Sequence, residues 1–199
     1  MEELLIGYGK YKLRQISIGD LEFLRRLRNN PLVYRFLSST EQISEEEQRR
    51  WYEQTYKKTL VQQRFILEKN QIPIGTASIV GINLEPEERY CMTGGILLPD
   101  YWGKGNSDIA TKLLDYYVYD ILGIDRVFVG IRKSNKSSIA LTERNGFSEI
   151  NPEDFNGRGF ALSDSNYRYF SKHRTAHQPL EGICASITFN PKDLKLFPK

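Results

Sequence analysis

Residues 102–107 have the composition of an anion-binding turn, and they read Trp102, Gly103, Lys104, Gly105, Asn106 and Ser107. The turn stands between a predicted strand and a predicted helix, where first-turn amides point outward at the positive end of the helix dipole. Glycines without Cβ atoms let a backbone approach a phosphate closely, and a lysine ammonium balances further negative charge. A pyrophosphate fits this turn, although the same two glycines can also serve a tight turn that binds nothing.

Two other nucleotide-binding loops fit these residues less well. The segment lacks the GxxxxGK[ST] spacing of nucleotide triphosphatases. The dinucleotide-binding fingerprint requires glycine or alanine where this chain has Asp108. The turn is therefore interpreted as a phosphate site of another class.

A second motif follows at residues 135–147, where five residues match the spacing NxxSxxxxExxGF: Asn135, Ser138, Glu143, Gly146 and Phe147. Considered alone, Asn135 is a typical helix N-cap and Gly146 suits the left-handed end of that helix. Ser138 stands in the first turn, where a serine hydroxyl commonly bonds to the backbone.

These two motifs resemble those of GNAT-superfamily N-acetyltransferases. Residues 99–105 are similar to the family's acetyl-CoA loop, [QR]xxGx[GA], with Gly105 kept, Trp102 at the first position and Ser107 at the last. The second motif resembles the branch that includes ribosomal-protein alanine acetyltransferases. Parts of residues 12–51 are similar to the amino-terminal part of that branch, so the resemblance covers residues 12–147.

The resemblance implies a GNAT fold, with acetyl-CoA as acyl donor. The fold class is α/β (α+β), a mixed and mostly antiparallel twisted sheet flanked by helices, in which two central strands splay and hold the pantetheine between them. Gly94 and Gly95 would form a bulge in the first splayed strand. The implied cofactor-binding residues are Ile96, Leu97, Leu98, Trp102, Gly103, Lys104, Gly105, Asn106, Ser107 and Asn135.

The catalytic groups of the family are only partly present. The family's glutamate base corresponds to Met92 here, and its tyrosine acid corresponds to Thr142. Ser138 is the predicted replacement for the acid, because the resemblance places this serine near the cofactor thiol. The base stays open among Glu88, Tyr90 and bulk water. A catalytically silent acyl-CoA-binding module is the alternative that these departures suggest.

Arg28 and Trp51 would face the acceptor cavity in a GNAT fold. Arginine can hold a phosphate or carboxylate, and tryptophan can stack on a substrate. Their plainer roles are a solvated helix end and a core anchor. The predicted acceptor is a small-molecule amine, first an amino-sugar nucleotide, because this region resembles sugar-amine acetyltransferases. A peptide N-terminus and a polyamine are the alternatives; a polyamine would need an acidic pocket, whereas the acidic run 45–47 looks like a helix start.

The elements that position these residues follow from hydrophobic periodicity. Residues 11–17 alternate as a first strand, and leucines at 21, 24 and 27 predict a helix that ends before Pro31. A capping box at Ser44 predicts a second helix to about residue 58. Strands are predicted at 65–67, 72–82, 90–98 and 127–131, and helices at 107–122 and from Asn135.

Composition narrows the classes of function and partner that remain. The chain of 199 residues has 28 basic and 25 acidic residues, a net charge of +3, so it does not require a nucleic acid partner. The spacing of Cys91 and Cys184 matches neither a disulfide framework nor a zinc site, which favours a reducing cytoplasm. No leader segment and no run of about 18 apolar residues is present, so we expect no membrane segment.

We expect a single domain over residues 1–199, with 149–199 as a C-terminal extension of uncertain structure. Strands are predicted there at 160–162, 167–170 and 183–189. The strand at 167–170 could cover the acceptor site or pair with a second subunit in a homodimer. His173 and His177 have i, i+4 spacing but no carboxylate motif beside them, so no metal site is predicted.

Overall fold

Strand-forming segments dominate the chain, and nine of them form one sheet in the computed structural model. The structure describes residues 4–39, 41–54, 56, 62–158, 160 and 165–187. The strands are β1 (Leu4–Tyr8), β2 (Tyr11–Gln15), β3 (Gln62–Lys69), β4 (Ile72–Asn83), β5 (Tyr90–Leu97), β6 (Arg126–Arg132), β7 (Ser148–Ile150), β8 (Tyr167–His173) and β9 (Cys184–Ile187). The helices are α1 (Leu21–Asn29), α2 (Pro31–Tyr34), α3 (Glu45–Gln54), α4 (Asn106–Asp115), α5 (Lys136–Arg144) and α6 (Pro152–Asn156).

The sheet has the strand order β7-β8-β6-β5-β4-β3-β2-β1-β9. All neighbouring strands are antiparallel except the central pair of β5 and β6, which is parallel. The predicted mixed, mostly antiparallel sheet is therefore confirmed. A parallel pair requires a crossover, and here α4 supplies it.

The central strands separate after a short paired stretch. β5 and β6 pair only where Tyr90, Cys91 and Met92 face residues 126–128. Beyond that point β5 stays paired with β4 as far as Leu97, and β6 stays paired with β8 as far as Arg132. The predicted splay is confirmed, and it opens a gap between two strands that are each held by their outer neighbour.

Helices pack on both faces of the sheet. Adjacent residues of a strand point to opposite faces of the sheet, so the side chains of Ile66 and Leu67 of β3 lie on different faces. Leu67 belongs to the main core with Leu113 and Tyr117 of the α4 region, whereas Ile66 packs with Leu24 of α1 and with α3. The α1 and α3 side and the α4 side are thus opposite faces.

Most predicted elements are confirmed, and several are corrected. The first predicted strand is β2, and β1 was missed. Pro31 does end α1, but it also begins the short helix α2. The helix predicted at 107–122 is α4 followed by a π-helical segment at Tyr116–Ile121. β7 and α6 were missed. The predicted bulge at Gly94 and Gly95 is wrong, because both pair with β4 in regular register.

The C-terminal extension is built into the same sheet. β8 contains the strand predicted at 167–170 and pairs with β6 and β7, so it is an internal strand rather than a cover or a subunit contact. β9 covers part of the strand predicted at 183–189 and pairs with β1, whereas residues 188–189 lie outside the described residues. Phe160 lies in no strand, and the remainder of the prediction at 160–162 also lies outside them. Among the described helices, none has the length and apolar composition to cross a bilayer.

Candidate functional site

The glycine turn leads directly from β5 into α4. Gly103 has φ 68° and Gly105, the N-cap of α4, has φ 74°, values that side chains rarely adopt. A Cβ built on either glycine would meet no atom within 4 Å. The glycines are therefore required by backbone conformation, and the space beside them is open to a ligand.

The amides that follow Trp102 in this turn have no acceptor among the described residues. Ile109 makes the first helical hydrogen bond, to the Gly105 carbonyl at 3.3 Å. Among the described residues, no group accepts from the amides of residues 103–108. Bare amides at a helix N-terminus, beside the positive end of its dipole, bind anions.

Asn106 anchors the turn from inside. Its side chain is fully buried; the Tyr11 hydroxyl and the Lys69 ammonium donate to its Oδ1 at 2.8 and 3.0 Å. Its own Nδ2 donates to the Tyr101 carbonyl at 2.8 Å. Of Asn106, only the backbone amide is therefore left for the predicted cofactor contact.

Trp102 and Lys104 also bond within the turn. The Trp102 indole donates to the Leu97 carbonyl at 2.9 Å, and the exposed Lys104 ammonium donates to the Asp100 carbonyl at 2.7 Å. Trp102 thus fixes how the turn leaves β5. Lys104 lies at the surface of the turn, and Ser107 lies half-buried in the first turn of α4.

The edge of β5 along the gap presents backbone groups without a strand partner. The Leu98 amide donates to the Ile74 carbonyl of β4 at 2.9 Å, so it faces away from the gap. Alternation along an antiparallel strand then directs the backbone of Ile96 to β4, and the backbones of Gly95 and Leu97 to the gap. Gly95, which sequence reasoning assigned to a bulge, is thus better placed for a ligand than Leu98.

An ion pair joins the two sides of the gap. Asp108, in the first turn of α4, accepts from the Arg144 guanidinium at 2.8 Å and from the Asn145 amide at 3.0 Å. Both donors lie at the end of α5. The turn and the second motif, far apart in the chain, are held next to each other.

In the second motif, Asn135 caps a helix as its residue type predicted. Asn135 is the N-cap of α5, and its Oδ1 accepts from the Ser138 amide at 3.2 Å. The Ser138 hydroxyl is half-buried, and no group in the described residues bonds to it. The backbone bond typical of a first-turn serine is thus not made, which leaves this hydroxyl for a ligand.

The candidate bases are already engaged. Glu88 forms ion pairs with Arg158 and, at 4.0 Å, with Arg126. Tyr90 lies in an aromatic cluster with Met92, and the Arg158 guanidinium packs over its ring at 4.8 Å. Both side chains are thus in contact with arginines, so neither can act as a general base without giving up that contact.

A cavity of about 200 Å³ lies on the α1 and α3 side of the sheet. It brings together the two predicted acceptor residues, Arg28 and Trp51. It is lined by Leu24, Leu27, Arg28, Ile43, Glu47, Gln48, Trp51, Arg64, Thr76 and Ile96. Ile96 belongs to the splayed strand β5, so the cavity adjoins the strand that borders the gap.

Arg64 is the cavity residue that sequence reasoning missed. Its guanidinium packs over the Trp51 ring at 5.1 Å. Burial lowers the pKa of Arg64, and the positive charge of Arg28 lowers it further. The only available signal was strand alternation, because Ile66, two residues along β3, faces the same helices.

The histidines lie away from both the turn and the cavity. His173 ends β8, and the His177 Nε2 contacts Asp120 Oδ2 at 2.9 Å. In the part of the chain that is described, no three His, Cys, Asp or Glu side chains form a metal-binding group.

Comparison with known proteins gives a family and a set of relatives. Residues 10–148 match the family model described as acetyltransferase (GNAT) domain. Spermidine N(1)-acetyltransferase of Escherichia coli K12 is 26% identical over 189 residues, covering 85% of this chain and 93% of the relative. The enzyme of that name from Vibrio cholerae is 28% identical over 144 residues, covering 69% of this chain and 78% of the relative.

Solved structures share the fold. Spermidine N-acetyltransferase from Vibrio cholerae, in complex with CoA and spermine, superposes with a TM-score of 0.71 at 21% identity, over 84% of this chain and 97% of the other. Apo FdhC, a nucleotide-linked sugar GNAT, superposes with a TM-score of 0.67 at 20% identity, over 84% and 88%. At these identities the likeness concerns the fold alone.

Proposed function

The chain belongs to the GNAT acetyltransferase family and is an acetyl-CoA-dependent N-acetyltransferase, and we propose that its acceptor is the primary amine of a small molecule. The observation that carries the proposal is the contact between two sites. The gap and the cavity adjoin at Ile96, the β5 residue that lines the cavity. A donor in the gap and an amine in the cavity would therefore meet at the splayed strand.

The residues present fit acetyl-CoA. The free amides of residues 103–108 suit its pyrophosphate, and the β5 edge at Gly95 and at the Leu97 amide suits its pantetheine amides, whereas the Leu97 carbonyl is taken by Trp102. When bound, acetyl-CoA supplies the acetyl thioester. Asn106, Trp102 and Asp108 hold the turn in place beneath it.

The side chains suggest how protons move during transfer. The attacking amine must be neutral, and it loses a proton as the new amide bond forms. Because Glu88 is paired and Met92 has no titratable group, water is the proposed acceptor of that proton. The Ser138 hydroxyl is the proposed donor of a hydrogen bond to the departing thiolate.

The acceptor class has three candidates: a polyamine, an amino-sugar nucleotide and a peptide N-terminus. The relatives are named spermidine acetyltransferases, which favours the polyamine alternative over the amino-sugar nucleotide that was predicted first. A nucleotide-linked sugar GNAT shares the fold, so the fold is compatible with both. A peptide N-terminus would have to enter a cavity of about 200 Å³, which suits the end of a chain or a small molecule.

Release of the CoA thiol measures the proposed activity directly. Purified protein with acetyl-CoA should release thiol with at least one amine from a panel of spermidine, spermine, amino-sugar nucleotides and peptides with free N-termini. A matched panel of N-acetylated compounds is the control, since these have no free amine. Protein that binds CoA yet releases no thiol with any member would support the silent acyl-CoA-binding module instead.

We also propose a cytoplasmic location and a homo-oligomer. Cys91 and Cys184 are both free, as expected in a reducing compartment. One similar structure, of spermidine N-acetyltransferase from Vibrio cholerae, is described as dodecameric. Light scattering on the purified protein would distinguish the predicted homodimer from a larger assembly or a monomer.

A further inference from the structure

We propose that Arg28 and Arg64 form an anion-binding subsite in the acceptor cavity, so that the acceptor carries a phosphate or carboxylate as well as its amine. This inference rests on the proposed function, because it names the chemical class of the acceptor. It differs from the polyamine assignment, which the names of the relatives favour.

The two arginines come from separate elements, and both line the cavity. Arg28 lies near the end of α1, Arg64 lies on β3, and both line the cavity wall. Their charges are close enough for Arg28 to lower the pKa of Arg64. Two neighbouring cations in a half-buried position repel each other, and an anion between them would relieve that repulsion.

Neither guanidinium has a carboxylate partner among the described residues. By contrast, Arg14, Arg25 and Arg126 each pair with an aspartate or glutamate. The Nε of Arg28 is buried and has no hydrogen-bond partner there. The unpaired, buried Nε of the planar Arg28 guanidinium is a donor that matches an oxygen of a phosphate or carboxylate.

The remaining charge in the cavity does not alter this conclusion. Among the described residues of the lining, Glu47 is the one acid, and its carboxylate accepts from the Ser44 amide at 2.7 Å and from the Ser44 hydroxyl at 2.8 Å. It therefore closes a capping box at the start of α3. The lining has two positive groups against one negative group, which opposes a polycation.

The subsite also has an orientation relative to the gap. Arg64 is stacked on Trp51, on the helix side of the cavity, whereas Ile96 lies on the strand that borders the gap. An acceptor whose anion lies between the arginines would therefore extend its amine toward β5. Trp51 offers a ring face beside it.

The experiment compares two amines that differ only in an anion. Calorimetry would measure binding of glucosamine and of glucosamine 6-phosphate to protein saturated with CoA, so that the helix N-terminus is already occupied. We expect the phosphorylated amine to bind about tenfold more tightly or better, because charge-assisted hydrogen bonds contribute that much. Inorganic phosphate should compete with it.

Substitutions then assign the preference to the two arginines. Arg28→Gln and Arg64→Gln should each reduce the preference for the phosphorylated amine by about tenfold. Arg64→Lys, which keeps the charge but not the planar fork, should retain part of it. Arg26→Gln is the matched control, because Arg26 lies exposed on the same helix as Arg28 and does not line the cavity.

The outcomes separate this inference from the proposed function. CoA affinity of each variant reports on folding and on the donor site, and it should not change. Equal binding of the two amines, or a preference that survives both glutamine substitutions, would overturn the anion subsite. Thiol release with spermidine alone would overturn it too, yet leave the N-acetyltransferase intact. Loss of CoA binding in the unmodified protein would instead refute the proposed function.

Discussion

The turn at residues 102–107 and the cavity on the opposite side of β5 are built in different ways. The turn offers backbone amides from one continuous stretch of chain, shaped by Gly103 and Gly105. The cavity offers side chains from α1, α3 and three strands, which meet only in the folded protein. Backbone recognition depends little on side-chain identity, whereas side-chain recognition changes with each substitution.

This difference explains why the turn points to the acyl donor and the cavity to the acceptor. The turn keeps its geometry although Trp102 and Ser107 depart from the family pattern, because the Trp102 indole donates to the Leu97 carbonyl at the end of β5. It therefore identifies the donor. The cavity bears on the acceptor, and its two guanidinium groups have no carboxylate partner among the described residues.

The largest expected effect comes from disturbing the backbone of the turn. Gly105→Leu places a side chain on a residue at φ 74°, where an L residue is strained by about 1–2 kcal/mol, and it obstructs the amides beside it. CoA affinity should fall well over tenfold. Equilibrium binding of CoA measures this, and unchanged affinity would remove the turn from the donor site.

Gly9→Leu is the matched control for that variant. Gly9 has φ 54° in the turn between β1 and β2, and its Cβ would likewise meet no atom within 4 Å. The same strain should lower the free energy of unfolding by about 1–2 kcal/mol and leave CoA affinity unchanged. If both variants lose CoA equally, the effect of Gly105→Leu is only a loss of stability.

Sequence reasoning located the donor side because its signals are local. Alternation and turn residues predicted α1 and β3 to β6, and glycine spacing predicted the turn. β1 was missed because its strand partners are β2 and β9, and β9 comes from the far end of the chain. Phe155 of the missed helix α6 packs in an aromatic cluster with Tyr90 and Phe128, which are also distant in the chain.

Contacts between distant residues also explain why parts of the site were predicted incorrectly or missed. The side chain of Asn106 looked available beside two glycines, but its partners Tyr11 and Lys69 lie 95 and 37 residues away. Arg64 looked like an ordinary strand arginine, because nothing near it in sequence indicates Arg28 or Trp51. Arg28 and Trp51 were predicted through the family resemblance, not through spacing.

Ser138 is the one exception that we propose to backbone recognition on the donor side, because it would act through its side chain. Ser138→Ala removes the unbonded hydroxyl at the start of α5. We expect turnover to fall by about tenfold while CoA affinity stays within about twofold, because the hydroxyl acts mainly on the departing thiolate. Thiol release and CoA binding measure the two quantities separately.

Ser137→Ala is the control for the Ser138 variant. Ser137 is the exposed neighbour on the same helix turn, so its loss should change neither quantity. Equal turnover by Ser138→Ala and the unmodified protein would discard the proposed acid role. The donor side would then act through its backbone alone.

The smallest expected effect tests the charge of the cavity. Glu47→Gln keeps an oxygen that can accept from Ser44 but removes the one acidic charge of the lining. An acceptor bound through its anion should bind within about threefold of its original affinity, and slightly more tightly, because a repulsive charge is gone.

A polyamine would respond in the opposite way. It would lose the one acidic partner that the described lining residues offer, and its affinity should fall by about tenfold. Glu46→Gln is the matched control, since Glu46 lies exposed one residue earlier and pairs with Arg50. Hydrogen bonds from Ser44 hold the pKa of Glu47 below its ordinary value, so Glu47 stays charged at neutral pH. Its contribution to the stability of the fold is lost only as the pH falls through that lowered pKa. The affinities for spermidine and glucosamine 6-phosphate are therefore measured at neutral pH, where Glu47 is fully charged. If Glu47→Gln binds spermidine about tenfold more weakly and glucosamine 6-phosphate unchanged, the cavity is assigned to a polyamine.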